Sequence, residues 1–199
     1  GNHPNQQYGV TAKEGSKMAF GVTDFTGVIS SRGLASSNKF EVDVFFPQTG
    51  SKKEINLMCD TATIAGKNIQ TTADIQYGIR REIAYGAPTY DPLTLTFYCT
   101  EELLEKRELD KWQQRMVKTS AIKGNNNGGT FDVGYYDDYA KDTKIIVTKL
   151  SVTGSTVYKH EYREAYPKTI SAIELSHGTS SGPMKVSATF NYIYWKDVT

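Results

Sequence analysis

The sequence predicts a mainly β fold, an antiparallel β-sandwich or barrel with one α-helix at about residues 101–117. Three observations lead there. Several segments alternate apolar and polar residues, the period of a half-buried strand. Only one segment carries apolar residues at helical spacing. Thirteen tyrosines and eight phenylalanines supply residue types that favour sheets.

Residues 1–37 are rich in Gly, Ser, Asn and Thr, with little periodicity, and read as a flexible arm before a single domain at 38–199. Met18 stands where a natural start would, so residues 1–17 are either a tag remnant or a native extension. The first strand begins at Lys39, with Phe40, Val42, Val44 and Phe46 on one face and Glu41 and Asp43 on the other. Pro47 and Gly50 end it, and Glu54–Asp60 resumes as its hairpin partner, with Ile55, Leu57 and Cys59 on one face. The segment Ile69–Ile83 has few core residues. It predicts a long hairpin or protruding loop, either exposed or covered by a partner.

Leu93, Leu95, Phe97 and Cys99 alternate with Thr94, Thr96 and Tyr98 in a second clear strand. Thr100 follows as an N-cap, with Glu101 and Glu102 in the first turn, where the helix dipole favours acids. Leu109, Trp112 and Met116 then mark one face of a helix over Glu101–Val117. Residues 124–129, a run of Gly and Asn, read as a surface loop. Strands are expected at Thr130–Tyr136, Lys144–Ser151 and Thr156–Arg163. Pro183–Trp195 reads as one extended strand of roughly 40 Å at about 3.3 Å per residue.

Charge and composition exclude several functions. The chain carries 23 basic and 22 acidic side chains, with 9 of each in residues 1–100. A protein that grips nucleic acid needs a basic excess to neutralise phosphates, and none exists here. No apolar stretch approaches the about 18 residues that span a bilayer. Cys59 and Cys99 form no CxxC pair and sit in apolar runs, so they read as reduced core thiols.

Candidate chemistry is sparse. His3, His160 and His177 share no metal-ligand spacing, and His160 reads as a surface or half-buried ring within a strand. Asp137, Asp138 and Asp142 invite a calcium reading but lack the glycine and closing glutamate of an EF-hand, so a solvated turn is expected. Glu101, Glu102, Glu105 and Glu108 form an acidic helix face. No Walker, GxSxG or GxGxxG motif is present. The expectation is therefore a non-enzymatic protein without cofactor or metal. Tyr192, Tyr194 and Trp195 read as sheet or interface packing.

The order of segments carries a resemblance. Asn38-Lys39-Phe40-Glu41-Val42 follows a loose arm, and a polar hairpin bearing Gly78-Ile79-Arg80-Arg81 comes next. Asp91-Pro92-Leu93-Thr94-Leu95-Thr96-Phe97 then runs into the helix with Asp110-Lys111-Trp112-Gln113. Ala165-Tyr166-Pro167-Lys168-Thr169-Ile170 and Leu175-Ser176 precede the closing Val186–Trp195 run. Together, over about residues 20–197, these resemble the tail-tube proteins of contractile-tailed bacteriophages, relatives of type VI secretion and contractile injection system tube proteins. Tyr166 stands where the family often has tryptophan.

The resemblance implies hexameric rings whose sheets join into one β-barrel, stacked into a tube that DNA traverses during infection. Its implied partners are further copies of the chain, the tail sheath, baseplate and tail-terminator proteins, and in the lumen a tape-measure protein and genomic DNA without tight binding. The implied location is the virion tail, after assembly in the host cytoplasm. Glu41 and Asp43 are expected to face the lumen, and Gln70, Tyr77, Arg80, Arg81 and Tyr85 to make inter-subunit contacts. The alternatives are a tube initiator or baseplate subunit, an injection-system tube protein, or a monomeric β-barrel that binds a ligand.

Overall fold

The computed structural model describes residues 22–76, 78–118, 132–178 and 182–198. The chain divides into two compact units, Gly1–Ala35 and Ser36–Thr199. The first contains helix α1, Val22–Arg32. This corrects the expectation of an arm with little regular structure. The helix ends where Gly33 takes φ 71° and returns its N–H to the Ile29 carbonyl at 2.7 Å, a glycine C-cap. Met18 and the residues before it lie outside the described residues.

The second unit begins with β1 (Phe40–Phe46), β2 (Gly50–Ser51), α2 (Lys53–Leu57) and β3 (Cys59–Ala62). A ribbon follows: β4 (Lys67–Asn68), β5 (Thr71–Gln76), β6 (Ile79–Ala84) and β7 (Thr89–Tyr90). Next come β8 (Leu93–Tyr98), α3 (Leu104–Met116), β9 (Val117–Lys118), β10 (Asp132–Val133) and α4 (Tyr136–Tyr139). The chain closes with β11 (Lys144–Leu150), β12 (Thr156–Arg163), β13 (Tyr166–Ile170), β14 (Lys185–Asn191) and β15 (Tyr194–Asp197).

Two antiparallel sheets make the sandwich, one ordered β15-β12-β11-β1-β2 and the other β13-β14-β8-β3. In the first, the row Val44, Ile145, Tyr162 and Trp195 runs across four strands on the inner face. The second answers with Phe190 beside Leu93, Ala188 beside Leu95, and Val186 beside Phe97. These side chains form one buried cluster, so the period-2 strands fold as their pattern demands. Helix α3 adds Leu109 and Trp112 to that cluster, with the indole edge-on to Phe46 at 5.5 Å and tilted against Phe190 at 6.0 Å. The Trp112 N–H donates to the Tyr139 carbonyl at 2.9 Å.

Mainly antiparallel β is the observed class, but the details depart from the sequence in five places. The described residues hold four helices rather than one. Glu54–Asp60 is not a strand: α2 takes Lys53–Leu57, and only Cys59–Ala62 joins a sheet. Helix α3 starts at Leu104, after Leu103 in the left-handed region at φ 53°. Thr100 still caps it loosely, accepting the Leu104 N–H at 3.4 Å while donating its own N–H and hydroxyl to the buried Glu105 carboxylate. Of the described residues in the expected strand at Thr130–Tyr136, Asp132–Val133 is extended, and Tyr136–Tyr139 is a helical turn. The loop at 124–129 lies outside the described residues. Finally, the long C-terminal strand breaks at Tyr192-Ile193, and its halves belong to different sheets.

Candidate assembly surfaces

The ribbon built from β4 to β7 is largely exposed. Lys67 pairs with Tyr90 and Asn68 with Thr89 at its base, and β5 and β6 continue it from Thr71↔Ala84 to Gln76↔Ile79. Gly78, at φ 79°, supplies the positive φ that a two-residue hairpin loop requires. Every side chain of β6 is exposed. Ile69, Ile75 and Ile79 show 59–72% of their surface to solvent. An isolated two-stranded hairpin is marginal in water, and one displaying isoleucines gains by being covered.

The expected contact residues divide along this ribbon. Gln70 and Tyr85 meet at its lower part, where the Tyr85 N–H donates to the Gln70 carbonyl at 2.8 Å. Arg80 and Arg81 sit near the turn, and Arg81 holds Asp74 through its Nε and Nη2 at 3.2 and 3.1 Å. Tyr77 lies outside the described residues.

Glu41 and Asp43 are exposed on the outer face of β1. Register places Glu41 in a row with Thr148 and Lys159, and Asp43 with Ile146, Glu161 and Lys196. Asp43 accepts from the Asn56 amide at 3.2 Å. The Asn56 carbonyl oxygen in turn accepts the Val44 N–H at 3.1 Å, a donor that no described strand takes up. Only Phe45 and Phe46 pair with β2, so most of this edge of β1 lacks a described strand partner. At the opposite edge, β15 exposes its outer side in the same way.

Several chemistry-bearing side chains among the described residues have structural partners. Among the described residues no group of three His, Cys, Asp or Glu side chains converges on a metal position. Asp137 pairs with Lys141 at 3.0 Å. Both cysteines are free and half-buried, and burial, helped by Asp60, pushes the Cys59 thiol up to about 12, away from reactive thiolate. His160 is buried, not at the surface. Its ring stacks on Trp195 at 4.3 Å and bonds Tyr158 through Nε2 and Tyr162 through Nδ1. No described helix is long and apolar enough to cross a membrane.

One further surface lies on the four-stranded sheet. The outer face of the β13-β14-β8-β3 sheet presents Thr94 beside Thr189 and Thr96 beside Ser187, with Thr61 and Thr169 flanking them. The alternation of Thr94 and Thr96 with leucines was its visible signal.

A family model described as phage tail tube protein matches residues 35–198. The chain belongs to the phage tail tube family. It is a structural subunit of a phage tail, and the match covers both sheets and the exposed ribbon. No curated protein sequence matches it. Solved structures share the fold at low identity. A chain of the sheath-tube complex of an extracellular contractile injection system, PVC, is 11% identical with TM-score 0.53, covering 87% of this chain and 98% of that one. A chain of the tube-terminating cap of the anti-feeding prophage is 12% identical with TM-score 0.55, over 83% and 91%. The SPP1 tail tube is 9% identical with TM-score 0.51, over 82% and 78%.

Proposed function

We propose that this chain is the repeating subunit of the tube, not an initiator of it. Rings of six subunits join sheet to sheet around a lumen and stack into a hollow cylinder through which DNA passes. The exposed β4–β7 ribbon carries this reading: a hairpin showing three isoleucines at 59–72% needs a covering surface, and a neighbouring subunit supplies one. The edge of β15 and the part of the β1 edge without a described strand partner offer main-chain donors and acceptors for lateral joining, a liability in a monomer and a resource in a ring. Gln70, Arg80, Arg81 and Tyr85, with Tyr77 between them in sequence, are the proposed contact residues, and the N-terminal segment with α1 adds contacts between rings.

The proposed partners are a sheath around the tube, baseplate and terminator proteins at its ends, and a tape-measure protein and DNA inside. The support is that the similar PVC chain comes from a sheath-tube complex and the prophage chain from a tube cap. Assembly takes place in the host cytoplasm, and the protein works without catalysis or cofactor.

Electron microscopy of the purified protein tests the reading. Long hollow cylinders are expected; single rings alone would indicate an initiator, and a monomer would overturn assembly. Removing residues 70–80 should leave soluble subunits that sediment as monomers, and cylinders of normal length from that deletion would exclude the ribbon as a contact.

A further inference from the structure

A groove of about 380 Å³ runs beside the open edge of β1. Strand β2 covers only Phe45 and Phe46, so the edge from Phe40 to Val44 has no described strand partner, and the groove lies along it. Phe40 and Val42 line it together with Leu57 of α2, which is 73% exposed. Glu41, Asp43 and Lys53 supply its charges, two carboxylates against one ammonium, so the groove is net negative. Glu41 and Asp43 belong to the ionic outer face of the five-stranded sheet, where three cations are engaged elsewhere. Arg163 and Lys196 lean on Glu161 at 2.6 and 3.8 Å, and Lys144 lies over the Phe45 ring at 4.6 Å. The groove suits a guest that is apolar and cationic at once.

The ribbon of β5 and β6 presents that combination near its tip. Cross-strand partners share a face, so Ile75 and Arg80 stand side by side on one face, and Asp74 and Arg81 on the other. Arg81 is neutralised there by Asp74 at 3.1 Å. Arg80 takes part in no ion pair among the described residues, and Ile75 beside it is 69% exposed. Glu82, one pair nearer the base on the same face, accepts from the Thr71 hydroxyl at 3.3 Å.

We propose that the groove beside β1 receives the ribbon tip of a second copy of this chain, with Ile75 on Phe40 and Leu57 and with Arg80 between Glu41 and Asp43. The inference rests on the tube reading above and names the surface on which the ribbon docks. In its own subunit the ribbon leaves Ile75 in solvent, so the groove it fills belongs to another copy. The isoleucine contact excludes water, and the arginine then makes charge-assisted bonds that fix the position of the tip. Ribbon and groove are different patches of one chain, so the contact is head-to-tail and propagates from copy to copy, as a stack requires. The assignment gives Glu41 and Asp43 a subunit contact in place of a lumen wall.

Charge exchange in the full-length protein tests the contact. Arg80→Glu, and separately the pair Glu41→Lys with Asp43→Lys, should each cut the sedimentable cylinder fraction roughly tenfold, because like charges then face each other. Joining all three substitutions should restore it to within about threefold of the parent, since the reversed charges again match. Rescue separates a direct contact from a general loss of fold, which the combination would deepen. A photoreactive benzoylphenylalanine at Ile75 gives a second reading without any change of charge. On irradiation of cylinders it should join copies, with the new bond in peptides spanning residues 40–43 or 53–57. Should the exchange variants fail to fold, this cross-link alone decides. Normal cylinders from Arg80→Glu, folded variants without rescue, or a bond mapped to any other segment would overturn this inference and leave the tube reading intact. A parent protein that forms no cylinders would overturn the tube reading itself, and the docking with it.

Discussion

The imidazole of His160 is enclosed by Tyr158, Tyr162 and Trp195 and is 2% exposed. The Tyr162 hydroxyl accepts the Ala65 N–H at 3.1 Å, so its own proton is free for Nδ1 of the ring, and Nε2 is left to donate to Tyr158. That pattern suits a neutral ring, and burial holds its pKa below the usual histidine value, with Asp197 opposing the shift. The unfolded chain therefore binds a proton at higher pH than the folded one. The contribution is fully present above the unfolded value of about 6.5 and is lost as pH falls through it toward the folded value. Denaturation midpoints should decline from pH 7.5 to pH 5, and His160→Gln should flatten that decline; an unchanged slope would remove His160 as its source. Gly134 makes a different kind of demand. A Cβ there would lie 2.2 Å from the Arg115 carbonyl oxygen, beside the Gly134 N–H bond to Met116. Gly134→Ala should cost about 1–3 kcal/mol in chemical denaturation, the usual penalty of overpacking.

Among the elements, those written in one period were legible and those set by a tertiary partner were not. Phe40–Phe46 and Leu93–Tyr98 alternate without a break, and both form strands with their apolar residues inside. The segment at 53–60 also alternates, yet Ile55 is buried while Leu57 is 73% exposed. What turns it into α2 is Asn56, whose amide reaches Val44, Asp43 and Ser51 at once. That need arises from the unpaired edge of β1, which no local pattern records. The break between β14 and β15 had a faint sign: Tyr192 and Trp195, three residues apart, both pack on the core, where a single strand would bury residues two apart. The exposed β4–β7 ribbon was legible as a segment poor in core residues, but its hairpin register was not. The hydroxyl face was written plainly in the Leu-Thr alternation, and its contrast with the ionic face of the five-stranded sheet emerged only from the register.

At the scale of the molecule, the near balance of 23 basic and 22 acidic side chains conceals a segregation between the two faces of the sandwich. A substitution pair can exploit it. Thr94→Lys with Thr189→Lys places two cations side by side across β8 and β14. In a phage carrying that pair, DNA release should slow and recover with added salt, because the added contacts are counterion-dependent. Release at the parent rate at low salt would exclude contact between this face and DNA.

The break at Tyr192-Ile193 has a mechanical consequence as well. One length of backbone serves as an inner strand of one layer and then as the edge strand of the other, where His160, Glu161, Tyr162 and Arg163 pair with it. Tension on either layer is thus handed to its neighbour through covalent bonds rather than through side-chain packing alone. The two layers cannot shear past each other without first unzipping β15 from β12, which makes the C-terminal crossing the subunit's tie rod under axial load.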